Sequence, residues 1–441
     1  LAPDQLERNF SDIRPPLSAD EAKAQAARCL FCFDAPCTRA CPTHIDVPRF
    51  IRQILHSNPA GAAETILDAN VLGGSCARVC PTEVLCEGAC VDRILQGKAV
   101  PIGGLQRFAV DWADEKRLSF FAPGPDTGRR VAIIGAGPAG LSCAFELRRC
   151  GHAVTVFEAG GLAGGLNSIG IAAYKITTDY ALSEVERVLA MGAEINLETP
   201  IDGPGFGRLR AEFDAVFLGI GLGATAALGI PGEDADGVWE ALDFICQTHR
   251  KPFAECEVGR RVVVIGGGNT AIDAATAATR LGADRVTIAY RRTRADMPAY
   301  AKEYELAKGD GVIFEWLTAP LECLHDDGAL TGLRMQRLEM RGQGRGATLV
   351  PVFGSDITLE CDMVVKALGQ QPLVEFINTI DGLEIERGRV VVEMPSGATS
   401  VPGLFAGGDC VSKGAEVVNA VEEGKTAARG IADFLDRSEE K

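Results

Sequence analysis

Eight cysteines lie before residue 91, in two tight blocks, and no other feature of this 441-residue chain restricts its fold as strongly. The first block, CLFCFDAPCTRACP, spaces Cys29, Cys32, Cys37 and Cys41 as C-x2-C-x4-C-x3-C-P. The second spaces Cys76, Cys80, Cys86 and Cys90 as C-x3-C-P-x4-C-x3-C. The seven remaining cysteines are scattered singly. Disulfide scaffolds belong to short secreted chains, whereas clustered cysteines in a long chain bind metal or carry redox chemistry. Zinc asks for two separated pairs that make four ligands. Here one short loop supplies three thiolates and then a fourth followed by proline, the arrangement of iron–sulfur ligation. In two-cluster ferredoxins the cysteine before proline serves the other cluster. Cys29, Cys32 and Cys37 are therefore expected to share one cluster with a distant fourth ligand, and Cys41 to join the second block. Two 4Fe-4S clusters are the expectation. Between the blocks, PRFIRQILHSNPAGAAETILDAN carries apolar residues at helical spacing, which predicts a small helical cage. His44 and His56 read as solvated or capping residues.

Charge excludes some partners. With 44 basic and 60 acidic residues the formal net charge is −16, a poor match for nucleic acid or an anionic membrane surface. No run of 18 apolar residues occurs, and LAPDQLERNF lacks the basic-then-apolar form of a secretory signal. A cytoplasmic protein that binds neither nucleic acid nor membrane is expected.

After the Pro/Gly-rich stretch FFAPGPDTGRR the texture changes. VAIIGAGPAGLSCAFELRRCGHAVTVFEA places Gly135-x-Gly137-x-x-Gly140 between a predicted strand and helix, with a second strand ending at Glu158. That is the full context of a dinucleotide fingerprint. The glycines allow a tight turn, close approach of the backbone to a pyrophosphate, and close helix packing, and Glu158 stands where an adenosine ribose is held. Pro138 and Ala139 open the helix, and Gly165, Leu166 and Gly219 complete this candidate cofactor-binding set. A second copy, GRRVVVIGGGNTAIDAATAATRLGADRVTIAYRR, supplies Gly266, Gly268, Asn269, Thr270 and Ala271. Its second strand ends in Arg291 and Arg292 where the first ends in an acid, which favours a 2′-phosphate and hence NADP over NAD. The alternative is a solvated basic edge. Near the carboxyl end, VPGLFAGGDCVSKGAEVVNAVEEGKTAARG runs strand, glycine turn, aspartate and helix, so that Gly408 and Asp409 would return to complete a discontinuous FAD domain.

The expected architecture is therefore α/β. A helical iron–sulfur domain (1–122) precedes two Rossmann-type nucleotide-binding domains. The NAD(P) domain (223–365) is inserted into a discontinuous FAD domain (131–222 and 366–441). Cys143 and Cys150 read as packing residues on one helix, and both nucleotide domains lack a redox Cys-x-x-Cys.

CLFCFDAPCTRACPTHIDVPRFI, LGGSCARVCPTEVLCEGAC, IGGLQRF, VAIIGAGPAGL, VIGGGNTAID and LFAGGD together carry a resemblance along nearly the whole chain. It resembles the NAD(P)H-oxidising flavoprotein subunits of bacterial dihydropyrimidine dehydrogenases and the amino-terminal half of the single-chain enzymes. More distantly, it is similar to glutamate synthase small subunits. The length of CPTEVLC favours the dihydropyrimidine dehydrogenase branch. The resemblance implies FAD, NAD(P) and two 4Fe-4S clusters. It implies Cys29, Cys32, Cys37 and Cys90 around one cluster, and Cys41, Cys80, Cys86 and Gln106 around the other, with Cys76 a bystander. The competing arrangement has Cys76 as ligand and Gln106 as an ordinary helix residue. Many relatives carry arginine in GIP-x-(F/Y)-R-L beside the flavin, where this chain reads GIAAYKITTDY. Lys175 is accordingly the candidate catalytic residue, with a structural lysine as the alternative.

The implied activity is oxidation of NAD(P)H through a flavin, with electrons passed singly to the clusters. Nothing after Glu423 reads as a barrel, an amidotransferase or a molybdenum or tungsten module. The electrons are thus expected to reach a separate catalytic subunit in a hetero-oligomer. Service to glutamate synthase or to a metal-dependent aldehyde oxidoreductase is one alternative, and a stand-alone flavoenzyme with structural clusters is another.

Overall fold

A computed structural model describes residues 1–342, 344–412 and 414–437, apart from the side chain of Arg345. It divides into two compact units. The larger comprises residues 13–168, 175–222 and 372 onward, and the smaller comprises residues 1–12, 169–174 and 223–371.

The larger unit begins with seven helices: Ala19–Ala26, Pro36–Arg39, Val47–Leu55, Pro59–Ala69, Gly73–Val79, Val91–Gln96 and Ile102–Glu115. Their starts are written locally. Ser18 and Glu21 close a reciprocal capping box, and Asp46 and Asn58 cap the next long helices, each followed by proline within the first turn. Such caps contribute about 1 kcal/mol each. Apolar residues at helical spacing then meet in one core, with Phe50, Ile51, Ile66, Ile102 and Leu105 almost wholly buried. His56 ends its helix as the C-cap residue.

The rest of this unit is a seven-stranded sheet in the order Val392–Glu393, Ala398–Thr399, Leu404–Ala406, Ala215–Leu218, Arg130–Ile134, Ala153–Phe157 and Glu194–Asn196. The last five of these strands are parallel and the two at the far edge are antiparallel. Strand Leu404–Ala406 pairs with Ala215–Leu218, so the carboxyl-terminal segment returns to the sheet begun by residue 130. Helix Val417–Arg437 lies against helix Pro138–Arg149 so closely that a Cβ at Gly424 would come within 2.0 Å of the Ala139 carbonyl. Strand order reverses beside Arg130–Ile134, the position at which open α/β sheets bind their ligands.

The smaller unit repeats the theme. Its parallel sheet runs Val238–Glu240, Met363–Lys366, Arg261–Ile265, Arg285–Tyr290 and Ile313–Trp316. A second, antiparallel sheet is formed by Thr318–Asp326, Ala329–Arg341 and Thr348–Glu360.

The compact units differ from the sequence expectation: the helical region and the first nucleotide-binding fold form one unit, residues 366–371 fall in the smaller unit, and two further segments join it. Residues 1–12, expected in the helical cage, pack within the smaller unit. There Phe10 stacks on Phe253 at 4.1 Å, Asn9 donates to the Arg280 carbonyl at 2.8 Å, and Arg280 donates back to the Asn9 carbonyl at 3.0 Å. Residues 169–174 also pack there, because Tyr174 is fully buried, donates to Asp273 at 3.0 Å and carries Arg280 4.2 Å above its ring.

Candidate cofactor sites

Cys29, Cys32 and Cys37 of the first block and Cys90 of the second line a single cavity. Its remaining wall is largely apolar, with Pro36, Val47, Ile51, Val100 and Ile102. Left-handed turns at Phe31 and Ala35 wrap the loop around it. Arg28 fastens the loop to the helix after Cys90 through Asp92, at 2.7 Å, and Asp92 is almost wholly buried. Burial pushes the Cys37 thiol up to about 11 and raises Cys29, each with its cysteine neighbours adding to the effect. Cys29 and Cys37, whose thiolates burial disfavours, would be suited to a cationic centre that supplies the missing charge.

The other cysteines form a second group. Cys76 and Cys80 are buried with Val418 and pack on Cys41, Leu85 and Val417. A hydrogen bond with Cys76, burial, and the nearby Cys86 and Cys41 hold the Cys80 thiol well above its ordinary range. Burial raises Cys86 as well, with further effect from Glu87, Cys41 and then Cys37 of the first group, so the two groups are neighbours. Cys41 Sγ lies 3.3 Å from the Thr43 hydroxyl. Asn70 donates to Cys76 Sγ at 3.2 Å. Gln106 is buried, and its Nε2 donates to the Gly73 carbonyl at 2.6 Å, at the start of the helix that carries Cys76.

The first dinucleotide turn is built as its glycines require. Gly135 has φ 101°, and a Cβ there would meet the Gly219 carbonyl at 2.4 Å. At Gly137 the nearest atom to such a Cβ is Gly165 Cα, 3.9 Å away, which leaves the backbone open to a phosphate. Pro138 and Ala139 open the helix beyond it, and Gly140 packs on Gly135. Glu158 accepts from the Ala136 amide at 2.8 Å and the Gly160 amide at 2.7 Å, so its carboxylate is fixed beside the glycine turn. Leu166 begins a short helix immediately after Gly165. Gly408 approaches Ala139, and Asp409 accepts from Ala415 at 3.3 Å, with burial raising its carboxyl. Lys175 is buried and shortly precedes helix Thr178–Leu189. Sequence reading missed Glu423. It accepts from the Gly408 amide at 2.6 Å, and burial pushes its carboxyl up to about 7. The Glu-Glu-Gly-Lys run at helical spacing from the Gly-Asp turn was the available signal.

In the second turn Gly266 has φ 149°, and a Cβ would meet the Ala367 carbonyl at 2.3 Å, while Gly268 is open. Asn269 and Thr270 begin the following helix, Asn269 accepts from the Tyr300 amide at 3.1 Å, and Ala271 is buried. The two arginines diverge. Arg291 is exposed, whereas Arg292 donates to the carbonyls of Gly344 at 3.1 Å and Ala347 at 3.4 Å. Arg294, not singled out from the sequence, lies 3.8 Å over the Tyr304 ring beside the same strand end.

Residues 6–118 match the family model described as dihydropyrimidine dehydrogenase domain II, 4Fe-4S cluster. Residues 129–424 match pyridine nucleotide-disulphide oxidoreductase. The chain belongs to the pyridine nucleotide-disulphide oxidoreductase family. Within it, this oxidoreductase is 37% identical to the glutamate synthase [NADPH] small chain of Escherichia coli, over 97% of its own length and 94% of the relative's. It is 34% identical to the NAD-dependent dihydropyrimidine dehydrogenase subunit PreT of Salmonella typhimurium, over 98% and 99%. Its fold is similar to that of Mycobacterium tuberculosis FprA in complex with NADPH, with TM-score 0.58 and 18% identity over 72% of this chain and 86% of that one. This oxidoreductase is thus an electron-transfer flavin and pyridine-nucleotide enzyme joined to an iron–sulfur domain. Among the described residues, no helix is long and apolar enough to cross a membrane.

Proposed function

We propose that this chain is the NAD(P)H-oxidising subunit of a larger enzyme, holding FAD and two 4Fe-4S clusters and exchanging electrons with a separate catalytic subunit. The observation that carries the reading is the convergence of Cys29, Cys32, Cys37 and Cys90, from both blocks, on one cavity. These four hold one cluster, and Cys41, Cys80 and Cys86 hold the other. Gln106 is its eighth-ligand partner through Oε1. Engagement of its Nε2 with Gly73 supports this role, and so does the commitment of Cys76 Sγ to Asn70 and Cys80.

When bound, the flavin supplies the conversion between two-electron pyridine nucleotide chemistry and one-electron cluster chemistry. Glu158 holds the adenosine ribose of FAD, Gly137 and the helix start at Pro138 receive its pyrophosphate, and Asp409 binds toward the ribityl chain. Lys175 places a positive charge beside the flavin. In the second fold the helix start at Asn269 receives the coenzyme pyrophosphate. Arg291 and Arg294 face a 2′-phosphate, which favours NADPH, while Arg292 shapes the adjoining loop through its carbonyl bonds.

The arrangement supports an order of electron carriers. Helix Val417–Arg437 follows the Asp409 turn and packs Val417 and Val418 on Cys41, Cys76 and Cys80, so the second group is the flavin-side one. The first group lies among exposed apolar side chains: Leu30 and Phe33 flank Cys32, and Ile94 and Leu95 follow Cys90. Exposed apolar patches of this kind mark contacts with other proteins. The catalytic subunit is of dihydropyrimidine dehydrogenase type, supported by the PreT relative and the C-P-x4-C spacing; a glutamate synthase type is the second reading, supported by the slightly higher identity. Anaerobic co-purification tests the assignment. A partner that reduces uracil or thymine with NAD(P)H upholds it, and a glutamate-forming partner replaces it.

A further inference from the structure

Helix Gly73–Val79 carries Cys76 and ends at Cys80, yet no side chain of its own closes its amino end, where Leu72 stands at the cap position. A serine, threonine or aspartate at that position would do so locally. The closing group comes instead from helix Thr178–Leu189. Glu184 accepts from the Gly74 amide at 3.0 Å and the Ser75 amide at 3.2 Å, and its second oxygen accepts from the Ser75 hydroxyl. Its side chain is 1% exposed and lies 3.6 Å from Arg187, which also pairs with Asp114 at 2.6 Å. One turn earlier, Tyr180 presses on the same cysteine helix. A Cβ at Gly74 would come within 1.6 Å of the Tyr180 hydroxyl oxygen, and Arg78 lies 3.4 Å over the ring centre. A short helix bearing cluster cysteines is therefore gripped near both ends by one neighbour.

We propose that Glu184 is a positioning residue for the cluster of Cys41, Cys80 and Cys86. It fixes the helix that presents Cys80 and sets a buried negative charge at the far end of that helix, which together tune the reduction potential of this cluster against the other. Net charge, hydrogen bonds to the sulfurs and solvent exposure are what set a cluster's potential. The proposal rests on the reading that Cys80 ligates that cluster.

Redox titration of the holoprotein followed by electron paramagnetic resonance tests it. Glu184→Gln keeps the size and an acceptor for the amides but removes the charge. The variant should keep its iron and flavin, while the second cluster's potential rises by the equivalent of about tenfold in its reduction equilibrium, about 59 mV for one electron, and the first cluster's stays put. Ser75→Ala, which leaves both backbone amides bound, should shift the same cluster by less. Unchanged potentials in both variants would overturn the proposal, as would an equal shift of both clusters and the flavin. Cys80→Ser separates the premise from the proposal. It should lose the second cluster's signal alone, and survival of both signals would refute the ligand assignment whatever Glu184 does.

Discussion

Glu423 sits on the helix that follows the Gly408–Asp409 turn, and its carboxyl is raised by burial from 4.5 to about 7, with the Gly408 amide pulling the other way and Asp409 adding to the rise. Between those two values the native carboxyl holds a proton that the unfolded chain has released. Its contribution to stability is therefore present below about 4.5, is lost as pH climbs to about 7, and is constant above. Glu423→Gln keeps an acceptor for Gly408 without this dependence. The melting temperature of the variant relative to the parent is expected to rise between pH 5 and pH 7 (about that window), and a constant difference would contradict the assignment. Gly74→Ala is a second case at this scale. The added methyl meets Tyr180, so a loss of about 1–3 kcal/mol in denaturant stability is expected. The grouping of the cysteines into two blocks was legible in the sequence because loop spacing is a local property. Glu423, Glu184 and Arg294 were not, because their meaning comes from Gly408, Ser75 and Tyr304, which only folding brings near.

Elements repeat the same division. Both glycine turns and their helices were readable, since a strand, a tight turn and a helix start write their needs into a few consecutive residues. The antiparallel sheet of residues 318–360 left no comparable mark, with strands whose faces mix buried and exposed positions irregularly. The coenzyme strand end shows how an element can share one charge pattern among different tasks. Arg292 is committed to loop carbonyls, so a test of coenzyme choice belongs on Arg291 and Arg294. Arg291→Glu with Arg294→Glu should lower kcat/KM for NADPH relative to NADH by about 10- to 100-fold, the worth of one or two charge-assisted hydrogen bonds. Arg292→Ala should leave that ratio alone. An unchanged ratio in the double variant would remove the 2′-phosphate assignment.

For the whole molecule, the sequence foretold a discontinuous nucleotide-binding domain with a second one inserted, and the compact units also pass through residues 1–12 and 169–174. Those short segments were illegible because their attachment rests on a few long-range contacts, such as Phe10 on Phe253 and Tyr174 on Asp273, with no periodic pattern behind them. The central claim is that two cysteine groups hold two separate clusters in one chain. Iron and acid-labile sulfide, measured with the spectrum of the reduced protein in the parent, Cys37→Ala and Cys86→Ala, test it most directly. The parent should hold about eight iron atoms, two cubanes of four. Each variant should lose about half of them and a different part of the spectrum, with flavin retained. A parent with about four iron atoms, or two variants that lose the same signal, would contradict it.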